Sequence, residues 1–268
     1  MRMFTALVGR SLARHRALIA GLTVVLSVMQ ILVVLAARNL QQDRMFAQIA
    51  ALIPPFVQEA LGGSMVLSFG GLVAFGFFHP VVMIALAVGA IYMASEPAGE
   101  VEHGLVDLIA ARPVPRAWFI TRSGLVSALT TTFVVAMMLA ANRAATAWLA
   151  PAGLPLPGFS RMLRLALNLL VLSWTFGAAS LAFAAHARRR LLIVGSLGLA
   201  YVFLFLLHFT AGLWAPARAF DRLSPFHYYA GLPIALGMKD PRADVLILLG
   251  TSAVLTVCAY IMYARRDL

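Results

Sequence analysis

The stretch Leu72–Ala94 reads LVAFGFFHPVVMIALAVGAIYMA and holds no Asp, Glu, Lys or Arg. A bilayer core about 30 Å thick needs about 20 consecutive apolar residues in one helix. A helix suits that setting because it satisfies its backbone N–H and C=O groups within the segment. Five further stretches are long and apolar enough: Ala17–Ala37, Ser123–Ala141, Leu163–Ala185, Leu191–Leu213 and Val245–Tyr263. Ser123–Ala141 carries Thr130, Thr131 and Thr132 mid-span, and threonine hydroxyls can bond back to the helix backbone. The pattern predicts an all-α integral membrane protein: six transmembrane helices forming one transmembrane domain over residues 1–268.

Composition points the same way. Of 268 residues, 62% are hydrophobic and 12% are charged, and the mean hydropathy is +0.91. Soluble domains hold about 45–50% apolar and about 25% charged residues, so this chain lacks the polar surface to remain in water. The single cysteine, Cys258, allows no intramolecular disulfide. Arg10, Arg14 and Arg16 precede an apolar run, as in a signal peptide. The run is longer than the ~7–15 residues of a signal core, so a retained helix is expected.

The net charge of +11 raises nucleic acid as a partner. The basic residues form no single patch, which argues against it. With both termini cytoplasmic, twelve of the 21 basic residues fall inside: Arg2, Arg10, Arg14, Arg16, Arg112, Arg116, Arg122, Arg188, Arg189, Arg190, Arg265 and Arg266. The other nine spread over longer loops, so the positive-inside rule favours this orientation.

The connections carry patterns of their own. In Met1–Arg16, Phe4, Leu7, Val8 and Leu12 recur at helical spacing with arginines between them, which predicts an N-terminal interfacial helix. Asp43–Gly63 carries apolar stripes on both sides of Pro54-Pro55, which predicts two short outer-surface interfacial helices. Trp214–Ala243 is rich in Pro, Trp, Tyr and Phe and predicts an outer cap at headgroup level.

The segment Ser95–Arg116 reads SEPAGEVEHGLVDLIAARPVPR and holds four of the ten acidic residues: Glu96, Glu100, Glu102 and Asp107. Val101, Leu105, Leu108 and Ile109 fall on one face of a helix ending before Pro113, with Glu100 and Glu102 at its start and Arg112 at its end, as the helix dipole favours. An acidic amphipathic helix is repelled by an anionic leaflet. Its stripe therefore seeks a protein groove, in a partner or under the chain's own helix ends, with Glu100 and Glu102 facing basic groups of that partner.

No motif for chemistry emerges. The only lysine, Lys239, lies in an outer loop, so there is no P-loop. His103 follows Glu102 without the second histidine of a zinc-protease motif. His79 and His208 lie within spans and His186 at a helix end. Intramembrane ionisable groups are functional candidates, although a histidine bonded to a neighbouring helix is the commoner outcome. Ser196, between Gly195 and Gly198, and the Ser173/Gly177 pair read as small residues that let helices approach. No catalytic, cofactor-binding or metal site is expected.

The run Gly99-Glu100-Val101-Glu102-His103-Gly104-Leu105-Val106-Asp107-Leu108, followed by Arg112-Pro113-Val114-Pro115-Arg116, resembles the signature loop of type-2 ABC transporter permeases. Glu100, Gly104, Leu108, Pro113 and Arg116 match that family's pattern; Leu105 and Pro115 stand where Thr and Ser are common. Pro54-Pro55-Phe56, Phe78-His79-Pro80, Leu223-Ser224-Pro225-Phe226 and Arg265-Arg266-Asp267 look like the family in order and spacing. The resemblance implies an exporter permease in a bacterial inner membrane that is not itself an enzyme. It also implies a second permease subunit and separate ATP-binding cassette subunits that use the ATP. Residues Glu100, Val101, Glu102, Gly104, Leu105, Leu108, Ile109, Pro113 and Arg116 would belong to a coupling helix docked on the ATPase. The polar groups within the spans suit an amphipathic drug, antibiotic or lipid-like substrate. An ion-gradient-driven transporter and a membrane enzyme are the alternatives. The absence of Asp and Glu from all six stretches counts against the first.

Overall fold

The computed structural model describes residues 2–42, 68–105, 115–151, 153–154 and 156–265, which are all-helical with connecting turns. The helices are α1 (Arg2–Gln42), α2 (Phe69–Phe78), α3 (Pro80–Ala94), α4 (Glu96–Glu102), α5 (Ala117–Leu149), α6 (Phe159–Ala184), α7 (Arg190–Leu213), α8 (Arg218–Asp221), α9 (Gly231–Ala235) and α10 (Arg242–Ala264). Six helical units are long and apolar enough to cross a membrane, with α2 and α3 together forming the second. Each expected stretch lies in one of them, save that Ala185 falls just past the end of its helix.

Helix α6 is the centre of the bundle. Of its most apolar window, 83% is buried, against 17% in α1, α7 and α10. It packs against α3, α5 and α10, while α1 runs along the far side of α5. Gly177 permits a close approach to two of them: a Cβ there would stand 3.2 Å from the Ser127 hydroxyl and 3.7 Å from Ala90. The expected small-residue approach therefore holds at Gly177. It does not hold within the chain at Gly195 and Gly198, where an added Cβ would meet nothing within 4 Å.

The second span is broken. His79 has extended dihedrals (φ −62°, ψ 129°) and caps α3, its Nδ1 accepting from the Val81 N–H at 3.2 Å. Pro80 then occupies the first turn of α3, where its missing N–H does no harm to that helix. It does deprive the Gly76 carbonyl of its i+4 donor. Gln30 of α1 fills the vacancy, its Nε2 donating to Gly76 O at 2.7 Å. Phe77 O is likewise satisfied from outside, by the Tyr229 hydroxyl at 3.1 Å. Asn142 of α5 donates to Gln30 Oε1 (3.1 Å) and Val73 O (3.2 Å). Gln30 and Asn142 are both buried. In a bilayer no water replaces these bonds, so the break exists only because side chains from three other segments complete it.

Two expectations about surface helices change. Residues 2–42 form one continuous helix of roughly 60 Å at 1.5 Å per residue, so no separate N-terminal interfacial helix exists. Its stripe of Phe4, Leu7, Val8 and Leu12 is half-buried against protein, with Phe4 edge-on to Trp118 of α5 at 5.4 Å. The stripe serves helix packing because α5 is itself long enough to accompany α1 beyond the core. The segment Trp214–Ala243 forms short turns: 3-10 turns Ala215–Ala217 and Pro225–Tyr228, with α8 and α9. Trp214 is exposed, but Phe226 and Tyr229 are buried. Phe226 packs among Phe176, Tyr201 and Phe205 at 4.9–5.8 Å, so the segment plugs the bundle rather than only resting at headgroup level. The expected helices in Asp43–Gly63 lie outside the described residues.

Candidate functional site

The acidic segment after α3 lands on the ends of three other long helices. Ser95 closes α3, and Pro97 sits in the first turn of α4, so the chain turns at once into a second helix. That turn carries Glu96 and Glu100, four residues apart and therefore on one face, into the bundle end. Both are buried, each 2% exposed.

Glu96 is surrounded by α1 and α5. It accepts from the Ser11 hydroxyl and from Arg14 Nη1 at 3.1 Å, with His15 Nε2 at 3.7 Å and Arg122 Nη2 at 3.9 Å. Glu100 takes the shorter bond from the same guanidinium, Arg122 Nη2 to Oε2 at 2.8 Å. Arg122 is itself 3% exposed, so this is a buried pair shared by two carboxylates. Burial pushes the Glu96 carboxyl up, but His15, the Arg122 charge and Ser11 outweigh it and hold the carboxyl down at about 2.

Arg190 extends the cluster to α7. Its Nε donates to Ser95 Oγ at 3.0 Å, and its guanidinium lies 3.6 Å from the centre of the Tyr92 ring. Its backbone N–H donates to Glu102 Oε2 at 3.0 Å. Gly99 leaves room for this side chain, since a Cβ there would meet Arg190 Cδ at 3.3 Å. One seven-residue helix is thereby clasped to α1, α5 and α7 as well as to α3.

The expected loop residues divide accordingly. Glu100 is buried against Arg122 of its own chain and so is not placed as the partner-facing charge expected of it, whereas Glu102 is exposed while bonding the Arg190 N–H. Val101 and Leu105 are half-buried. Gly104 adopts φ 65°, a left-handed conformation that ends α4, so no single helix runs from Glu100 through Leu105. Leu108, Ile109 and Pro113 lie outside the described residues. Arg116 is exposed at the N-cap of α5.

The histidines take structural places. His79 caps α3, His103 Nδ1 lies 2.7 Å from Gly99 O, and His208 and His227 both contact Asp221, at 2.8 and 2.6 Å. Among the described residues no group of three His, Cys, Asp or Glu side chains is arranged to hold a metal ion.

Sequence reasoning counted the charges on this side but did not join them. Ser11, His15, Arg122 and Arg190 were the missed members. A usable signal existed, since acidic residues crowded into one short segment beside buried helix ends must find cations or stay unpaired at high cost. No family model and no curated protein matches the chain.

Proposed function

We propose that the chain is the permease subunit of an ABC-type exporter, forming the translocation pathway beside a second permease subunit. A separate ATP-binding cassette subunit would supply the energy through the segment Glu96–Arg116. Both termini would face the cytoplasm of a bacterial cell, and the cargo would be amphipathic: a drug, an antibiotic or a lipid-like molecule. The observation that carries the reading is the clasp of α4. The segment that resembles the family's signature loop is bonded through Glu96, Glu100 and Arg190 to the ends of four long helices. A push on that segment therefore moves helix ends instead of deforming a loop, because a buried charge cannot leave its partner cheaply. The partner contact falls to Val101, Leu105 and the apolar residues that follow, Leu108 and Ile109.

The test is co-purification with the candidate ATPase, scored by pull-down and by substrate-stimulated ATP hydrolysis. Leu108→Ala removes a side chain whose full burial is worth about 1.5–3 kcal/mol, so assembly is expected to weaken about ten-fold or more. Wild-type assembly and coupling in that variant would remove the loop from the mechanism. The break at His79 gives a second reading some footing, because gradient-driven transporters build their sites from discontinuous helices. No carboxylate stands at this break among the described residues. Asp244, at the start of α10, is 2.6 Å from Lys239. Proton- or sodium-dependent uptake into vesicles by the chain alone would favour that reading.

A further inference from the structure

Helices α5 and α10 both pack on α6 but diverge from one another, leaving an elongated groove of about 600 Å³ between them. Gly124, Ala128, Ala178 and Ala253 line it where larger side chains would close it. From Leu249 to Tyr260 it follows α10 for about 16 Å at 1.5 Å per residue. A helix about 10 Å across would need roughly twice that volume over the same length, so the groove takes a narrow chain.

The polar atoms of the groove define what kind of chain. Thr121 bonds to Ala117 O and to the Tyr260 hydroxyl, and Ser127 donates to Ala90 O. Ser252 and Thr256 donate to carbonyls one turn back along α10, and Trp174 Nε1 donates to the Thr131 hydroxyl. Each hydroxyl and the indole is already engaged within the protein, so an occupant has no call to offer hydrogen bonds along the groove. Hydrocarbon fits. The rims continue into exposed apolar side chains, Leu125 and Leu129 on α5 and Val254 and Val257 on α10, so the groove opens sideways into the bilayer.

One end carries charge. Exposed Arg116 precedes Thr121 by five residues on α5, and exposed Arg265 follows Tyr260 by five on α10. Five residues rise about 7.5 Å, so the backbone of both arginines lies that far beyond the Thr121–Tyr260 bridge along the two helices, within side-chain reach of a headgroup at that end of the groove. We infer that the groove between α5, α6 and α10 is a binding site for one acyl chain of an anionic phospholipid, whose headgroup lies against Arg116 and Arg265. The inference needs only that the six helices span a bilayer, and it stands or falls separately from the proposed ATPase coupling.

The test is photolabelling of the full chain in phosphatidylcholine vesicles, using a trace of phosphatidylglycerol or phosphatidylcholine with a diazirine on the acyl chain. Labelled residues are mapped by mass spectrometry. Groove labelling is expected to exceed that of the exposed α7 face around Leu199 and Phe203. The phosphatidylglycerol probe should label the groove about thirty-fold more than the neutral probe, as expected for two surface arginines. Arg116→Gln with Arg265→Gln should erase that preference without touching a buried residue. Ala128→Phe with Ala253→Phe should remove groove labelling while leaving the α7 face labelled, which also reports that the bundle is folded. Groove labelling no denser than on α7, or unchanged by both phenylalanines, would show ordinary boundary lipid and overturn the site. Equal labelling by the two probes would overturn the headgroup assignment.

Discussion

Two of the polar clusters buried among the described residues differ in charge, depth and purpose. At the α4 end, Glu96 and Glu100 are acidic side chains that share the basic Arg122. Gln30 and Asn142 form the other cluster, which carries no charge and lies along α1 about 22 Å from His15. That distance is most of a ~30 Å hydrocarbon core, where a charge is costly but an amide is tolerable. The charged cluster joins a connecting segment to helix ends; the neutral one completes a backbone that Pro80 leaves short of a donor. Depth thus sorts the chemistry: charge serves where helices meet the surface, and neutral amides serve inside.

If that division is right, the largest effect belongs to the charged cluster. Arg122→Leu leaves Glu96 and Glu100 buried without their shared cation and is expected to destabilise the bundle by about 3–5 kcal/mol. Thermal unfolding of the detergent-solubilised chain measures this, and a loss as small as that at Gln30 would erase the contrast. Next comes a pH effect confined to the same end. The Glu96 carboxyl is held at about 2, below its ordinary 4.5. A lowered folded-state value adds stability above the unfolded value, and that stability is lost as pH falls from about 4.5 toward 2. Glu96→Gln should remove this acid sensitivity in unfolding curves, whereas Gln30→Leu should leave it in place.

The neutral cluster should respond more weakly. A Cβ on Gly76 would collide with the Gln30 amide, so Gly76→Ala displaces the donor that satisfies the Gly76 carbonyl. A loss of about 1–3 kcal/mol is expected, the range for leaving one buried polar group unmatched. Asn142→Leu removes its bonds to Gln30 Oε1 and Val73 O and should cost about 0.6 kcal/mol for each, the usual size of an interhelical hydrogen bond in a membrane. The smallest effect belongs outside both clusters. His227 and its Asp221 partner are partly exposed, so His227→Ala should change stability by less than about 1 kcal/mol because water screens the pair. A denaturation series over all six variants orders them on one scale.

The six apolar stretches, the placement of each in one helical unit and the crowding of acids after the second were legible in the chain itself. They follow from local rules: a span must be apolar for about 20 residues, and a proline after an extended residue interrupts a helix. The expected single span Leu72–Ala94 contained the Phe78-His79-Pro80 signal, yet whether Pro80 kinks or divides the helix depends on donors elsewhere. Gln30 and Tyr229 are those donors, 46 and 152 residues away in sequence from the carbonyls they satisfy. In the same way, Glu100 reads in the sequence as a charge facing a partner's basic groups, whereas the fold sets it against Arg122 of its own chain. Composition and periodicity determined by themselves that this chain lives in a bilayer and where it crosses, because solvent preference is a property of each segment alone. Which charges are paired, where the second span breaks and which stripe faces protein were decided only in three dimensions. Pairing depends on which helix ends meet, and that is a property of the whole bundle.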